Sequence, residues 1–193
     1  MLNLSFLPGS NYNSKSRSQT PCLIKNKEIL VMTDNTRGHF NYWTRAAMIA
    51  AIYAVLTVSF APISYGPVQV RIAEMLLVLP YFTGAAIPGL FVGTLIANMF
   101  GGYGLPDIVF GSLATLISAY LVSKIGNKYL VPLPPVIINA VVIGWMLYIV
   151  LEMEGIHTFY LTAASVGVGQ LVACYGLGLP LLLFLEKHRY IFK

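Results

Sequence analysis

An amide, a guanidinium and a carboxylate, Gln69, Arg71 and Glu74, fall within one six-residue stretch of a chain otherwise poor in hydrogen-bonding side chains. Together they can donate to a carbonyl and accept from paired N–H groups, which is the chemistry of reading a small polar ligand. They sit in the run Tyr-Gly-Pro-Val-Gln-Val-Arg-Ile-Ala-Glu, residues 65–74, between two long apolar segments, whereas most other charges lie at segment ends. The competing reading is structural: Arg71 and Glu74 are three apart and can pair across one helical turn. Gln69 is a third polar group for which a simple ion pair has no use. Further polar side chains interrupt apolar runs at Asn98, Asp107, Asn139 and Gln170, and Tyr103 offers an aromatic face beside Asp107. An amide in hydrocarbon must find a partner or line a cavity.

Other chemistries lack their residues. Cys22 and Cys174 give neither a disulfide framework nor metal-ligand spacing, and Cys174 reads as a packing residue. His39, His157 and His188 are scattered, so no metal site and no cofactor is expected. Acid–base work by Arg71, Glu74 and Asp107 would need a nucleophile set against a base, and Ser64, Cys174 and His157 have no such partner by spacing. The run Gly101-Gly-Tyr-Gly-Leu-Pro-Asp107 is not followed by Lys-Ser/Thr, so it is no phosphate-binding loop. Its glycines suit a close backbone approach to a ligand, and Asp107 also fits a helix cap.

The elements that must position these residues are membrane helices. Of 193 residues, 57% are hydrophobic and 10% charged, which removes the soluble classes. Mean hydropathy is +0.74. The net charge of +5 carries no basic run interleaved with aromatics, so nucleic acid is not a partner and the charge reads as topological. The fold class is all-α: a polytopic bundle of six hydrophobic segments near 43–60, 72–87, 90–100, 108–125, 136–151 and 161–185. Pro80 kinks the second, and Pro88-Gly89 is expected to make a tight connection to the third. Ala163, Gly167, Gln170 and Cys174 share a stripe that turns Gln170 toward other helices. On the first segment Ala46, Ala50 and Ala54 lie in overlapping small-x-x-x-small pairs. In lipid such a ridge is a docking surface, for the protein's own helices or for a partner.

Residues 1–42 read as a disordered N-terminal segment, 43–186 as the six-helix domain and 187–193 as a basic tail. Within the first, 1–31 also read as untranslated leader, since Lys27-Glu28 can be encoded AAG-GAG, a ribosome-binding sequence upstream of Met32. Arg37, Arg45, Lys124, Lys128, Lys187, Arg189 and Lys193 share one side in a six-helix arrangement. The positive-inside rule then predicts both termini cytoplasmic in a cell membrane, with residues 65–74 facing outward.

Four ordered stretches carry a likeness to a known family: residues 65–74 followed by Leu79-Pro80, Gly93-Thr-Leu-Ile-Ala-Asn98, Asp107-Ile-Val-Phe-Gly-Ser-Leu-Ala-Thr-Leu116, and Leu133-Pro-Pro-Val-Ile-Ile-Asn139. Together they resemble the QueT family, substrate-binding S components of energy-coupling factor (ECF) transporters for queuosine precursors. The resemblance implies a six-helix fold of the S-component type that captures a 7-deazaguanine base, in its 7-cyano or 7-aminomethyl form, on the outer side. It implies as partners a transmembrane scaffold protein and two ATPase subunits, with ATP hydrolysis belonging to those partners. The alanine ridge would meet the scaffold. Glu74 or Asp107 would accept from the base, Arg71 and Gln69 donate to it, and Tyr65 or Tyr103 stack on it. Where the family pattern has Gly-Glu, this chain has Gly169-Gln170, which removes a charge deep in the bundle. Another small nutrient, such as a vitamin or purine, is the alternative ligand.

Overall fold

In lipid an apolar run satisfies its backbone polar groups by forming helix, and every apolar run here does so. The computed structural model describes residues 21–64, 70–101, 103–152 and 154–188, with side chains from Phe40 onward, and all its regular structure is helical. The chain divides into two units, Met1–Phe40 and Asn41–Lys193. Of the first, the described part is the beginning of α1 (Pro21–Ser59). Where composition predicts no regular structure, α1 is already helical from Pro21, a residue suited to the first turn of a helix. Residues 1–20, the first part of the stretch 1–31 read as leader, and the end of the basic tail at 189–193 lie outside the described residues.

The second unit is the bundle. After the short α2 (Ala61–Ser64) come a 3-10 helix (Ile72–Tyr81), α3 (Ala86–Met99), a π-helical turn (Asp107–Gly111) running into α4 (Ser112–Lys124), and α5 (Leu133–Val150). The chain ends in α6 (Ile156–Leu171), a second π-helical stretch (Val172–Gly178) and α7 (Leu179–Lys187). Among the described residues four stretches are long and apolar enough to cross a membrane: Phe40–Ser59, Asp107–Lys124, Leu133–Val150 and Ile156–Lys187. The other two expected segments are helical but short, at 10 and 14 residues. They rise about 20 Å each, against roughly 30 Å of hydrocarbon.

Two local expectations are corrected. The second segment is a 3-10 helix and not a kinked α-helix, closed by Glu74 N–H to Arg71 O at 3.0 Å and Phe82 N–H to Leu79 O at 2.9 Å. Pro88-Gly89 does not make the next connection. The chain turns at 82–85, and Pro88 sits in the first turn of α3, where a missing N–H costs nothing.

Close approaches hold the bundle together, as they must where apolar burial gives no net drive. A Cβ on Gly89 would stand 2.6 Å from Ala46 O, and one on Gly93 would stand 2.9 Å from both Ala50 O and Tyr53 Cβ, so α1 lies directly on α3. Gly144 meets Ala163 in the same way between α5 and α6. Val78, Val122, Val131 and Leu182 tie the end of the 3-10 helix to α4 and α7. This places Lys124, Lys128 and Lys187 at one end, where Lys128 Nζ meets Glu186 at 3.0 Å. The start of the 3-10 helix, the end of α3 and the turn before α4 meet at the other.

Candidate functional site

At that second end, and reaching into the bundle, polar side chains are buried together. Arg71 stands just before the 3-10 helix in extended conformation, which turns its side chain inward, and it is 3% exposed. Its Nη2 donates to Asp107 Oδ1 and Oδ2 at 3.2 and 3.4 Å, and its Nη1 donates to Asn98 Oδ1 at 3.1 Å. Asn98 in turn donates to the Asp107 backbone carbonyl at 2.8 Å. Asp107 is therefore neither a helix cap nor a free acceptor: its carboxylate neutralises Arg71. Gly111 makes room for this knot, because a Cβ there would collide with the Asn98 amide and reach 3.1 Å from Asp107 Oδ1.

Glu74 lies one turn deeper and is partnered differently. Tyr53 OH donates to its Oε1 at 2.8 Å and Asn139 Nδ2 to its Oε2 at 3.2 Å. Its ordered partners are thus neutral donors from α1 and α5. The charge of Arg71 reaches it through space, but the ion pair of that guanidinium is with Asp107. Among the described residues the ionisable side chains buried in this cluster are Arg71, Asp107 and Glu74, and the ion pair joins the first two. Asn139 is 2% exposed and its Oδ1 has no hydrogen-bond partner. Cys174 Sγ lies 3.8 Å from Glu74 O and 3.5 Å from Gln170 Oε1, which brings Gln170 beside the same carboxylate's helix.

Of the residues singled out in the sequence, Arg71, Glu74, Asn98, Asp107, Asn139 and Gln170 thus converge. Tyr103 is half-buried and packs against the apolar cluster of α4, α5 and α6. Gln69 and Tyr65 lie outside the described residues. Ala46 and Ala50 are 4% and 6% exposed because they pack on Gly89 and Gly93, while Ala54 is half-buried. Ala46 and Ala50 also line an apolar groove of about 210 Å³ with Trp43, Ala47, Pro88, Gly89 and Val92. Sequence reasoning passed over Tyr53, which is completely buried. Its signal was there: Ala46, Ala50, Tyr53 and Thr57 continue one stripe at spacings of four, three and four.

The family model of the QueT transporter matches residues 43–187, the whole described bundle apart from its edges. The chain belongs to the QueT transporter family. It is a multi-pass membrane protein of a transporter family and not of an enzyme family. It is similar to the queuosine precursor transporter QueT of Lactococcus lactis subsp. cremoris (strain MG1363), at 37% identity over 73 residues. That match covers 37% of this chain and 43% of the relative, so it spans less than half the relative's length. No solved structure matches the chain.

Proposed function

We propose that this member of the QueT family is the S component of an ECF importer. In this reading it captures a queuosine precursor, 7-cyano- or 7-aminomethyl-7-deazaguanine, outside the cell and releases it inside. The observation that carries the reading is Glu74: a buried carboxylate whose donors among the described residues are neutral, in a cluster whose guanidinium is already spent on Asp107. A guanine-like base presents an N–H and an exocyclic NH2 side by side, and a carboxylate with a free lone pair on each oxygen accepts both. Glu74 is then the reader of the base and Asp107 its neighbour's counter-ion. Asn139 Oδ1 is a further acceptor, and Gln170, Asn98 and Gln69 supply the remaining polar wall. Tyr103 would stack only from the loop before Asp107.

In this reading the lysines at the opposite end face the cytoplasm, with both termini there and the site open to the outside. The six-segment count of the S-component fold then requires the two short helices to be embedded with the four long ones. The scaffold protein would seat in the groove between α1 and α3, touching Trp43, Ala47, Pro88 and Val92, with Ala46 and Ala50 as its floor. The two ATPase subunits would supply the energy.

Calorimetric titration of detergent-purified protein with either base tests the reading. Wild-type protein should bind, and Glu74→Gln should bind at least roughly tenfold more weakly, the scale of a charged hydrogen bond worth about 1.5–3 kcal/mol. Absence of binding to any 7-deazaguanine, set against binding of an unrelated vitamin or purine, would transfer the site to that nutrient.

A further inference from the structure

We infer that Tyr53 is a specificity-determining residue of this site, acting through Glu74 to select bases that carry an exocyclic amine. The inference rests on the reading that Glu74 accepts the N–H edge of the base.

A carboxylate offers about four lone-pair sites. Tyr53 OH occupies one on Oε1, at 2.8 Å, and Asn139 Nδ2 one on Oε2, at 3.2 Å. Among the described residues no other donor is seen on either oxygen, so one site on each is left, the arrangement that receives two parallel donors. Without the phenol, Oε1 would regain a lone pair and the carboxylate could rotate about its last torsion, which is broad and roughly two-fold. A carboxylate free to rotate still binds one N–H. It loses the simultaneous fit to two.

The reach of Tyr53 is itself built into the packing. Tyr53 is 0% exposed, and its Cβ lies where a Cβ on Gly93 would come within 2.9 Å of it. Only the bare backbone of α3 at this point lets α1 approach closely enough for the ring to pass α3 and meet the 3-10 helix. The phenol cannot serve another acceptor without giving up Glu74, since it has a single proton. Burial makes that proton count: in a water-excluded site the phenol's hydrogen bond has no solvent substitute.

The test is a comparison of two ligands on two proteins. Binding of 7-cyano-7-deazaguanine and of its analogue lacking the 2-amino group is measured on purified wild-type protein and on Tyr53→Phe. Wild-type protein is expected to prefer the amine-bearing base. In Tyr53→Phe the affinity for that base should fall roughly tenfold while the analogue changes little, so the preference collapses. A merely structural tyrosine would weaken both ligands alike, and an unchanged preference in Tyr53→Phe overturns the inference while leaving the transport reading intact. Wild-type protein that binds both equally overturns the two-donor fit, and wild-type protein that binds neither removes the transport reading as well. Should Tyr53→Phe fail to fold, 3-fluorotyrosine at position 53 gives a second measurement. Its fluorine resonance should move more on adding the amine-bearing base than on adding the analogue, and equal movement overturns the inference.

Discussion

Two carboxylates sit within one polar cluster and are treated in opposite ways. Asp107 is met by a guanidinium, and Arg71, Asn98 and Asp107 close into a knot in which each side chain answers another. Glu74 is met by a phenol and an amide, and the ion pair of the cluster passes it by. The first arrangement fixes geometry, because a buried pair broken on one side leaves an uncompensated charge. The second, in the proposed reading, leaves acceptor positions for the N–H donors of a ligand. Residue type alone does not separate the two acids; what each is already bonded to does.

The sharpest way to break the comparison is Asp107→Ala. It strands Arg71 in the bundle, and thermal unfolding in detergent should show a loss on the order of 3–5 kcal/mol. Glu74→Gln breaks no ion pair and should cost less stability than Asp107→Ala while weakening binding at least roughly tenfold, so similar unfolding of the two variants would erase the distinction. Gly111→Ala is next in size. Its methyl displaces the Asn98 amide from the knot, with an expected cost of about 1–3 kcal/mol, typical of forcing extra volume into a packed interior. Ligand affinity should fall less than in Glu74→Gln, since Glu74 keeps both of its donors. The smallest effect is expected at the other end of the bundle, from Lys128→Ala. Glu186 raises the Lys128 ammonium above its usual value, chiefly through the hydrogen bond between them. Such a raised group contributes what stability it has below the ordinary lysine value of about 10.4 and loses it as pH rises through the folded value. Unfolding of Lys128→Ala should therefore match wild type near neutral pH, because the pair is solvent-screened. A large shift would mean that exposed and buried ion pairs are not so different here.

The all-helical membrane class was legible in composition, and the convergence of six polar residues was legible from their isolation in apolar runs. Gln170 was placed correctly by stripe spacing alone, since a helix keeps that period whatever it packs against. The partner of Arg71 was not legible. Glu74, three residues away, competes with Asp107, 36 residues away, and only the approach of α3 to the turn before α4 decides between them. Tyr53 hid among 12 tyrosines, a residue type that also suits membrane surfaces. The 3-10 helix was missed because nothing in a ten-residue apolar run with one proline distinguishes it from a kinked α-helix. The alanine ridge pointed to a contact without naming it, and Gly89 and Gly93, read as a turn and a small residue, were its other half.

The last apolar stretch, Ile156–Lys187, has 32 residues and so extends about 48 Å if helical throughout, well beyond the roughly 30 Å of a hydrocarbon layer. Gln170 and Cys174 fall near its midpoint. In the proposed reading a ligand reaching Glu74, which is 1% exposed, must first shed its water. Dehydration would then be a selection step in its own right: molecules whose polar edges the cluster cannot replace bond for bond would be rejected by the loss of their hydration shell, before any misfit with the protein is felt.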